Sequence, residues 1–234
     1  MLRIATTYEV RGMVKNVTSY DNATVGNIAN ALPFSHYQDI ISIVDLARYT
    51  EVGRIGLKEG LEVPVLVTPG LLAVNNEDAN EIEFANLLTK KAAGVIKLTG
   101  CEGPTGLAID PTAKLSLSSC GNGKAALVDL RTRKLVRLLP IGQGPDTVLF
   151  DPKRHRFLIP CGRSGTMSVF GVDKHGMVGE LPTVTTETSA RTGAIDEATG
   201  RVYLPSARYK PAEAGKRPEM IPGSAHLLVF SPAP

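Results

Sequence analysis

The chain has 234 residues, 43% of them hydrophobic and 21% charged, with a net charge of +3. This is ordinary globular composition, long enough to bury a core without staples, and its charge is too mild to argue by itself for nucleic acid or an anionic membrane. No apolar run approaches the roughly 18 residues that cross a bilayer as a helix, and the opening MLRIATTYEVRGMVK has no long apolar segment, so neither a membrane span nor a signal peptide is predicted; this suits a cytosolic protein or a trimmed mature one.

In chain order, residues 2–10 (LRIATTYEV) form the first strand-like stretch. A unit then begins that recurs along the chain. It is clearest at 103–120, GPTGLAIDPTAKLSLSSC, and at 144–161, GPDTVLFDPKRHRFLIPC. Each runs Gly-Pro, a polar residue, an apolar strand, Asp-Pro, and a second apolar strand ending in Cys. With the polar residue as anchor, an Asp follows five residues on and the second strand closes at fifteen. The same frame fits SARTGAIDEATGRVYLPSA, and more loosely YDNATVGNIANALPF and GLEVPVLVTPGLLAVNNED. The anchors are Asn16, Glu62, Thr105, Asp146 and Arg191, spaced 41–46 residues apart, which marks a repeat architecture.

Each unit continues with a third strand rich in β-branched and aromatic residues, at 40–46, 80–86, 125–130, 166–172 and 226–232. The first four add a fourth strand: EVGRIGL, AGVIKL, KLVRLLPI and MVGELPTV. Only NEDANEIEFANLLTKK invites a helix, and the repeat register assigns it to strands. Four antiparallel strands per repeat predict an all-β chain, a single β-propeller domain over residues 1–234. The fifth unit lacks its fourth strand, so residues 2–10 are expected to supply it, closing a ring of five four-stranded blades. The alternative is a shortened or fragmentary seven-bladed propeller.

The anchors open the innermost strands, so they are expected to ring one mouth of the central tunnel as a polar site: Asn16, Glu62, Thr105, Asp146 and Arg191. The competing expectation is that Glu62, Asp146 and Arg191 pair across a wet mouth. Glu62 and Asp146, from non-adjacent blades, are expected to be ionised at neutral pH. The repeated Asp (Asp21, Asp110, Asp151, Asp196) precedes a turn and is expected to accept that turn's amides, at the opposite mouth. The fifth unit joins its second and third strands by a long segment, 208–224, with Arg208, Lys210, Lys216 and Arg217 against Glu213 and Glu219. It is expected either as a solvated insertion or as a lid that, with Arg191, takes an anionic ligand.

Three cysteines, an odd count, exclude a full disulfide framework. Cys101 could sit across an inner hairpin from Cys120; a disulfide there and two buried thiols are both open. His36, His155, His175 and His226 lack ligand spacing, so no metal is expected, and no phosphate loop or nucleophile elbow implies a cofactor.

The stretches CEGPTGLAIDPTAKLSLSSCGN, LPIGQGPDTVLFDP, SARTGAIDEATGRVYLPSA and IPGSAHLLVF resemble the YVTN-repeat (YncE-like) β-propeller family over residues 40–234. That family is typically seven-bladed and often exported, which would place the chain in the periplasm or outside the cell. The resemblance implies a binding or scaffold role; the ligand expected at the anchor mouth is a small polar molecule, a peptide or a glycan. Some relatives bind single-stranded DNA, and related propellers include lactonases and lyases. A hydrolase would use Glu62 or Asp146 as base with Arg191 as electrophilic partner. Modest charge and few aromatics weaken the nucleic-acid reading.

Overall fold

The computed structural model describes residues 40–45, 48, 50–211 and 218–232, and the backbone of the strands at 22–23 and 31–35. Every regular element among them is a strand. The strands form antiparallel sheets in which sequence neighbours pair, so each sheet is a simple meander. The chain groups into two compact units, residues 1–107 and 108–234. The boundary falls inside a strand of the third repeat rather than at a linker.

The first unit holds two four-stranded sheets. One is β1 (Asn22–Ala23), β2 (Ala31–Ser35), β3 (Ile40–Asp45) and β4 (Thr50–Gly56); the other is β5 (Leu61–Thr68), β6 (Leu71–Asn76), β7 (Glu81–Asn86) and β8 (Lys91–Lys97). β1 and β2 lie against β5, and β4 lies against β8. First strands thus face first strands and fourth strands face fourth. Between the sheets Ile41, Ile43, Ile55, Leu72, Val74 and Ala85 form a buried core.

The second unit takes up the third sheet within β9 (Pro104–Asp110), which is followed by β10 (Leu115–Cys120), β11 (Lys124–Asp129) and β12 (Lys134–Pro140). The fourth sheet is β13 (Leu149–Asp151), β14 (Arg156–Cys161), β15 (Thr166–Val172) and β16 (Val178–Thr185). The fifth has three strands among the described residues: β17 (Ala194–Asp196), β18 (Arg201–Ser206) and β19 (His226–Phe230). β13 lies against β17, again first strand to first strand. Leu117, Leu127, Phe157, Ile159 and Phe170 fill one core, and Leu149, Met167, Val169, Val202 and Leu204 fill a second.

The repetition extends to irregularities. The pairing of third and fourth strands shifts register at Ile43/Val44, Glu83/Ala85, Leu127/Val128 and Met167/Val169. A bulge at the same place in four sheets twists each outer strand in the same way. The third strands end alike too: the side-chain oxygens of Asp45, Asn86, Asp129 and Asp173 accept amides two to four residues on. Residues 80–86, open to a helical reading, are strand β7 with its N-terminal turn.

The first repeat departs from its expected frame. Its second strand should close at Ala31, fifteen residues after Asn16, but β2 begins at Ala31 and closes at Ser35. The Gly-Pro that opens the third and fourth repeats is absent here. Asn16, Asp21 and residues 2–10 lie outside the described residues.

Candidate functional site

Glu62 lies in β5 and Thr105 in β9, both in the first unit. The Thr105 carbonyl accepts the Asn75 side-chain amide at 2.9 Å. In the second unit Asp146 and Arg191 each stand three residues ahead of a first strand, β13 and β17. These two meet: Arg191 Nε is 3.4 Å from Asp146 Oδ2. Burial pushes the Asp146 carboxyl up from its ordinary pKa, and Arg191 pulls it back. Two of the expected site residues are thus engaged with each other, as the paired-mouth expectation has it.

The same end of the fifth sheet holds a cluster that the anchors do not include. It arises from three positions of the repeat: four residues before the anchor, fifteen after it, and the residue paired with the latter across the hairpin. In the fifth repeat these are Glu187, Ser206 and His226, with Ser206 opposite His226 in the β18–β19 register. Ser206 Oγ donates to Glu187 Oε2 at 3.0 Å, and His226 Nε2 lies 2.9 Å from the same oxygen. His226 Nδ1 faces the Ser224 carbonyl at 2.8 Å, so it carries a hydrogen and donates. The Ser224 bond raises the imidazole above its ordinary pKa; burial opposes this, the Glu187 carboxylate adds to the rise, and Arg208 opposes it.

In the fourth repeat the same positions are Gly142, Cys161 and Thr166, with Cys161 opposite Thr166. A Cβ on Gly142 would stand 2.7 Å from the Cys161 Cβ and 2.8 Å from Thr166 Oγ1, so only glycine fits. In the third repeat the first two positions are Cys101 and Cys120. Both are disulfide-bonded, which settles the open alternative against buried thiols, while Cys161 is a buried free thiol.

Next to the Glu187 cluster opens a cavity of 630 Å³, lined among others by Glu187, Arg208, Gly223, Ser224 and His226. It sits at the root of the long segment 208–224. That root is a short hairpin stem: Tyr209 bridges Met220, Lys210 N donates to the Glu219 carbonyl, and Ile221 N donates to the Arg208 carbonyl. Lys210 and Glu219 pair at 2.7 Å. Ser224 Oγ accepts the Arg208 amide at 3.0 Å, tying the two ends together. Lys216 and Arg217 lie outside the described residues. Of the expected lid cations, Arg208 therefore lines the cavity and Lys210 is spent on Glu219.

The turn aspartates are structural. Asp110 Oδ1 accepts the amides of Thr112 and Ala113, Asp151 Oδ1 those of Lys153 and Arg154, and Asp196 Oδ1 that of Ala198. The turn closes on a left-handed residue: Lys114 (φ 57°), His155 (φ 49°) and Gly200 (φ 76°) hold equivalent places. His155 Nδ1 lies 3.1 Å from Asp110 Oδ2, one repeat back. Among the described residues no group of three or more His, Cys, Asp or Glu could hold a metal ion, and no helix is long and apolar enough to cross a membrane.

Glu187, Ser224 and His226 were not singled out as a binding cluster from the sequence. The usable signal was the repeat frame itself: Glu187 precedes its anchor by the same four residues as Cys101. His226 is brought to Ser206 only by the hairpin, across a segment with no periodic pattern.

No family model matches the chain, and no curated protein matches it. Matching solved chains number 1443, so the fold is widely used and does not select an activity. One of them is the hydrazine synthase of Kuenenia stuttgartiensis, a β-propeller-containing protein, at 16% identity and a TM-score of 0.69, covering 94% of this chain and 70% of that one. At that identity the likeness concerns fold alone: the described residues are all-β, with four four-stranded antiparallel sheets and one three-stranded, a fold that fits a β-propeller.

Proposed function

We propose that this protein is a non-catalytic binding propeller that takes a small polar or anionic ligand at the anchor end of its fifth sheet. The observation that carries the reading is the 630 Å³ cavity at the root of the 208–224 segment, where Arg208, His226, Ser224 and Glu187 converge. Concave sites with a few convergent polar groups are the usual form of small-ligand pockets. A lactonase-like reaction draws less support, because Arg191 and Asp146, its electrophile and base, lie on each other. Single-stranded DNA draws less still, since no Phe or Tyr is among the described residues that line this cavity.

The finer architecture belongs to the same proposal. The chain is a divergent YVTN-type propeller of five blades, closed by residues 2–10 along β19. Third strands β3, β7, β11 and β15 are buried over most of their length, whereas Leu227 and Val229 of β19 are 56% and 53% exposed. Each of those four has a fourth strand beside it; among the described residues no strand pairs with the other edge of β19, which favours an added strand.

The test is a thermal-shift screen of small carboxylates, amino acids, sugars and sugar phosphates. A hit should be lost when residues 209–220 are replaced by a short Gly-Ser link, and in Arg208→Ala. Binding that survives both changes overturns the pocket reading. Deleting residues 1–12 should lower the melting temperature sharply; an unchanged melt rules out closure by that segment.

A further inference from the structure

The three-position comparison assigns the Glu187 cluster a role of its own. Where the third repeat has disulfide-bonded Cys101 and Cys120, the fifth has Glu187 and Ser206 joined by a hydrogen bond, with His226 added across the hairpin. We infer that Glu187, Ser206 and His226 form a proton-dependent latch, and that the latch makes capture of a small oxyanion in the adjoining cavity proton-linked. This rests on the pocket reading above and names its ligand class and its control.

The geometry requires the proton. A neutral imidazole has one N–H, and here both ring nitrogens face oxygen acceptors: Nδ1 the Ser224 carbonyl at 2.8 Å, Nε2 the Glu187 carboxylate at 2.9 Å. Both bonds are made when the ring is an imidazolium beside an ionised Glu187. Loss of the proton leaves one ring nitrogen as a lone pair facing an acceptor. The arrangement is not a catalytic triad, because the carboxylate, and not the imidazole, receives the serine hydroxyl. Ser206 Oγ is also within 3.2 Å of Ser189 Oγ, whose hydroxyl donates to the Ala207 carbonyl.

The latch touches the two ends of the 208–224 segment, which line the cavity. His226 holds the Ser224 carbonyl, and the Ser224 hydroxyl holds the Arg208 amide. The charged groups facing His226 are Glu187 from the stretch before β17 and Arg208 from the stretch after β18. Lys210 and Glu219, in the stem, are spent on each other. With His226 protonated, two cations stand against one carboxylate at the cavity, and an oxyanion is attracted. With His226 neutral the charges cancel and a clamp on Ser224 or Glu187 is released. Both side chains are accessible, at 41% for His226 and 46% for Glu187, so protons exchange freely with solvent.

The probe is sulfate, which keeps its charge between pH 5.5 and 8.5, titrated into the full chain while amide and imidazole resonances are followed by NMR. Affinity at residues 207–208 and 223–226 should be about tenfold tighter at pH 5.5 than at pH 8.5 at low ionic strength, the effect of one unit charge a few ångströms from a dianion in a water-like medium. His226→Gln should bind equally at both pH values, Glu187→Gln should lower the His226 titration midpoint, and Arg208→Ala should lose the site. On the unmodified chain, the His226 ring nitrogens should both be protonated at pH 5.5, with Nδ1–H retained at pH 8.5. A neutral ring at pH 5.5, or an unmoved midpoint in Glu187→Gln, overturns the latch. Sulfate bound in the cavity with pH-independent affinity overturns the proton linkage and leaves the pocket standing. Sulfate that fails to shift these residues, or binds Arg208→Ala as well as the parent, overturns both.

Discussion

Replacing Asp110 by Ala isolates how much a repeat turn contributes. Asp110 is fully buried, and three donors converge on it: the amides of Thr112 at 2.8 Å and Ala113 at 3.0 Å on Oδ1, and His155 Nδ1 at 3.1 Å on Oδ2. His155 is 42% exposed and can turn to water, so the loss falls on the two amides. Thr112 is exposed and Ala113 half-buried, so water can reach their amides, and the loss is that of two hydrogen bonds to a buried charged group, each worth about 1.5–3 kcal/mol, which puts Asp110→Ala at about 3 kcal/mol. In a chain of this size that is a fall in melting temperature of about 6–12 °C. Asp110→Asn keeps an acceptor oxygen over the amides and should fall between. Asp196 serves the same turn in the fifth repeat, but in the open, so water replaces its carboxylate and Asp196→Ala should lose far less. Urea unfolding followed by far-ultraviolet circular dichroism suits a chain with no tryptophan. Equal losses at Asp110 and Asp196, or a loss below about 1 kcal/mol at Asp110, would refute burial of the accepting carboxylate as the source of the cost.

Phe157, fully buried with its ring 4.9 Å from that of Phe150, should cost about 3–5 kcal/mol when changed to Ala, read by the same urea curves; a cost under about 1 kcal/mol would mean the core there can collapse. Unfolded without reductant, the oxidised protein should show one thiol to Ellman's reagent, that of Cys161; three would contradict the disulfide. Glu81 is fully enclosed between Lys58 and Lys97; burial raises its carboxyl and the two ammonium groups more than offset this, so its pKa is lowered. A lowered carboxyl stabilises the fold above its unfolded pKa of about 4.3 and loses that contribution as pH falls through its folded value. Acid unfolding monitored by circular dichroism should therefore show a step below about pH 4 that Glu81→Gln removes; persistence of the step in the variant would assign it to another group.

The third and fourth strands of the first four repeats and the turn aspartates were readable because each is dictated locally. β-Branched runs make the strands, and an Asp followed by a two- or three-residue turn captures its own amides. In the first repeat, which has no Gly-Pro, β2 closes four residues later than the frame expects. The pairing of Asp146 with Arg191 was one of two expectations, since charge sign is in the sequence but side-chain reach is not. Glu187 and His226 were harder. Their meeting depends on the β18–β19 register, which is set across a segment whose length carries no periodicity. The same position as cysteine is conspicuous, while as glutamate it reads as one more surface acid.

In the third to fifth repeats the turn at the end of the first strand also reaches a neighbouring repeat. His155 extends to Asp110, Lys153 donates to the Ala198 carbonyl, and Gly200 stands over Asp151 where any side chain would strike Arg154. The hairpin between Asp129 and Lys134 differs: it is closed by Asp129 on the amides of Arg131 and Thr132, inside a single sheet, whereas Lys90 in the equivalent hairpin of the second repeat reaches the Val52 carbonyl of the sheet before. Each repeat is therefore an incomplete word whose last letter is written by its neighbour. A repeat copied or exchanged as a block would carry an aspartate without its cap, or a cap without its aspartate. A seam that spares these turns runs through the exposed hairpin between Asp129 and Lys134, and new chain ends placed there would leave the turns of Asp110, Asp151 and Asp196 with the partners that complete them.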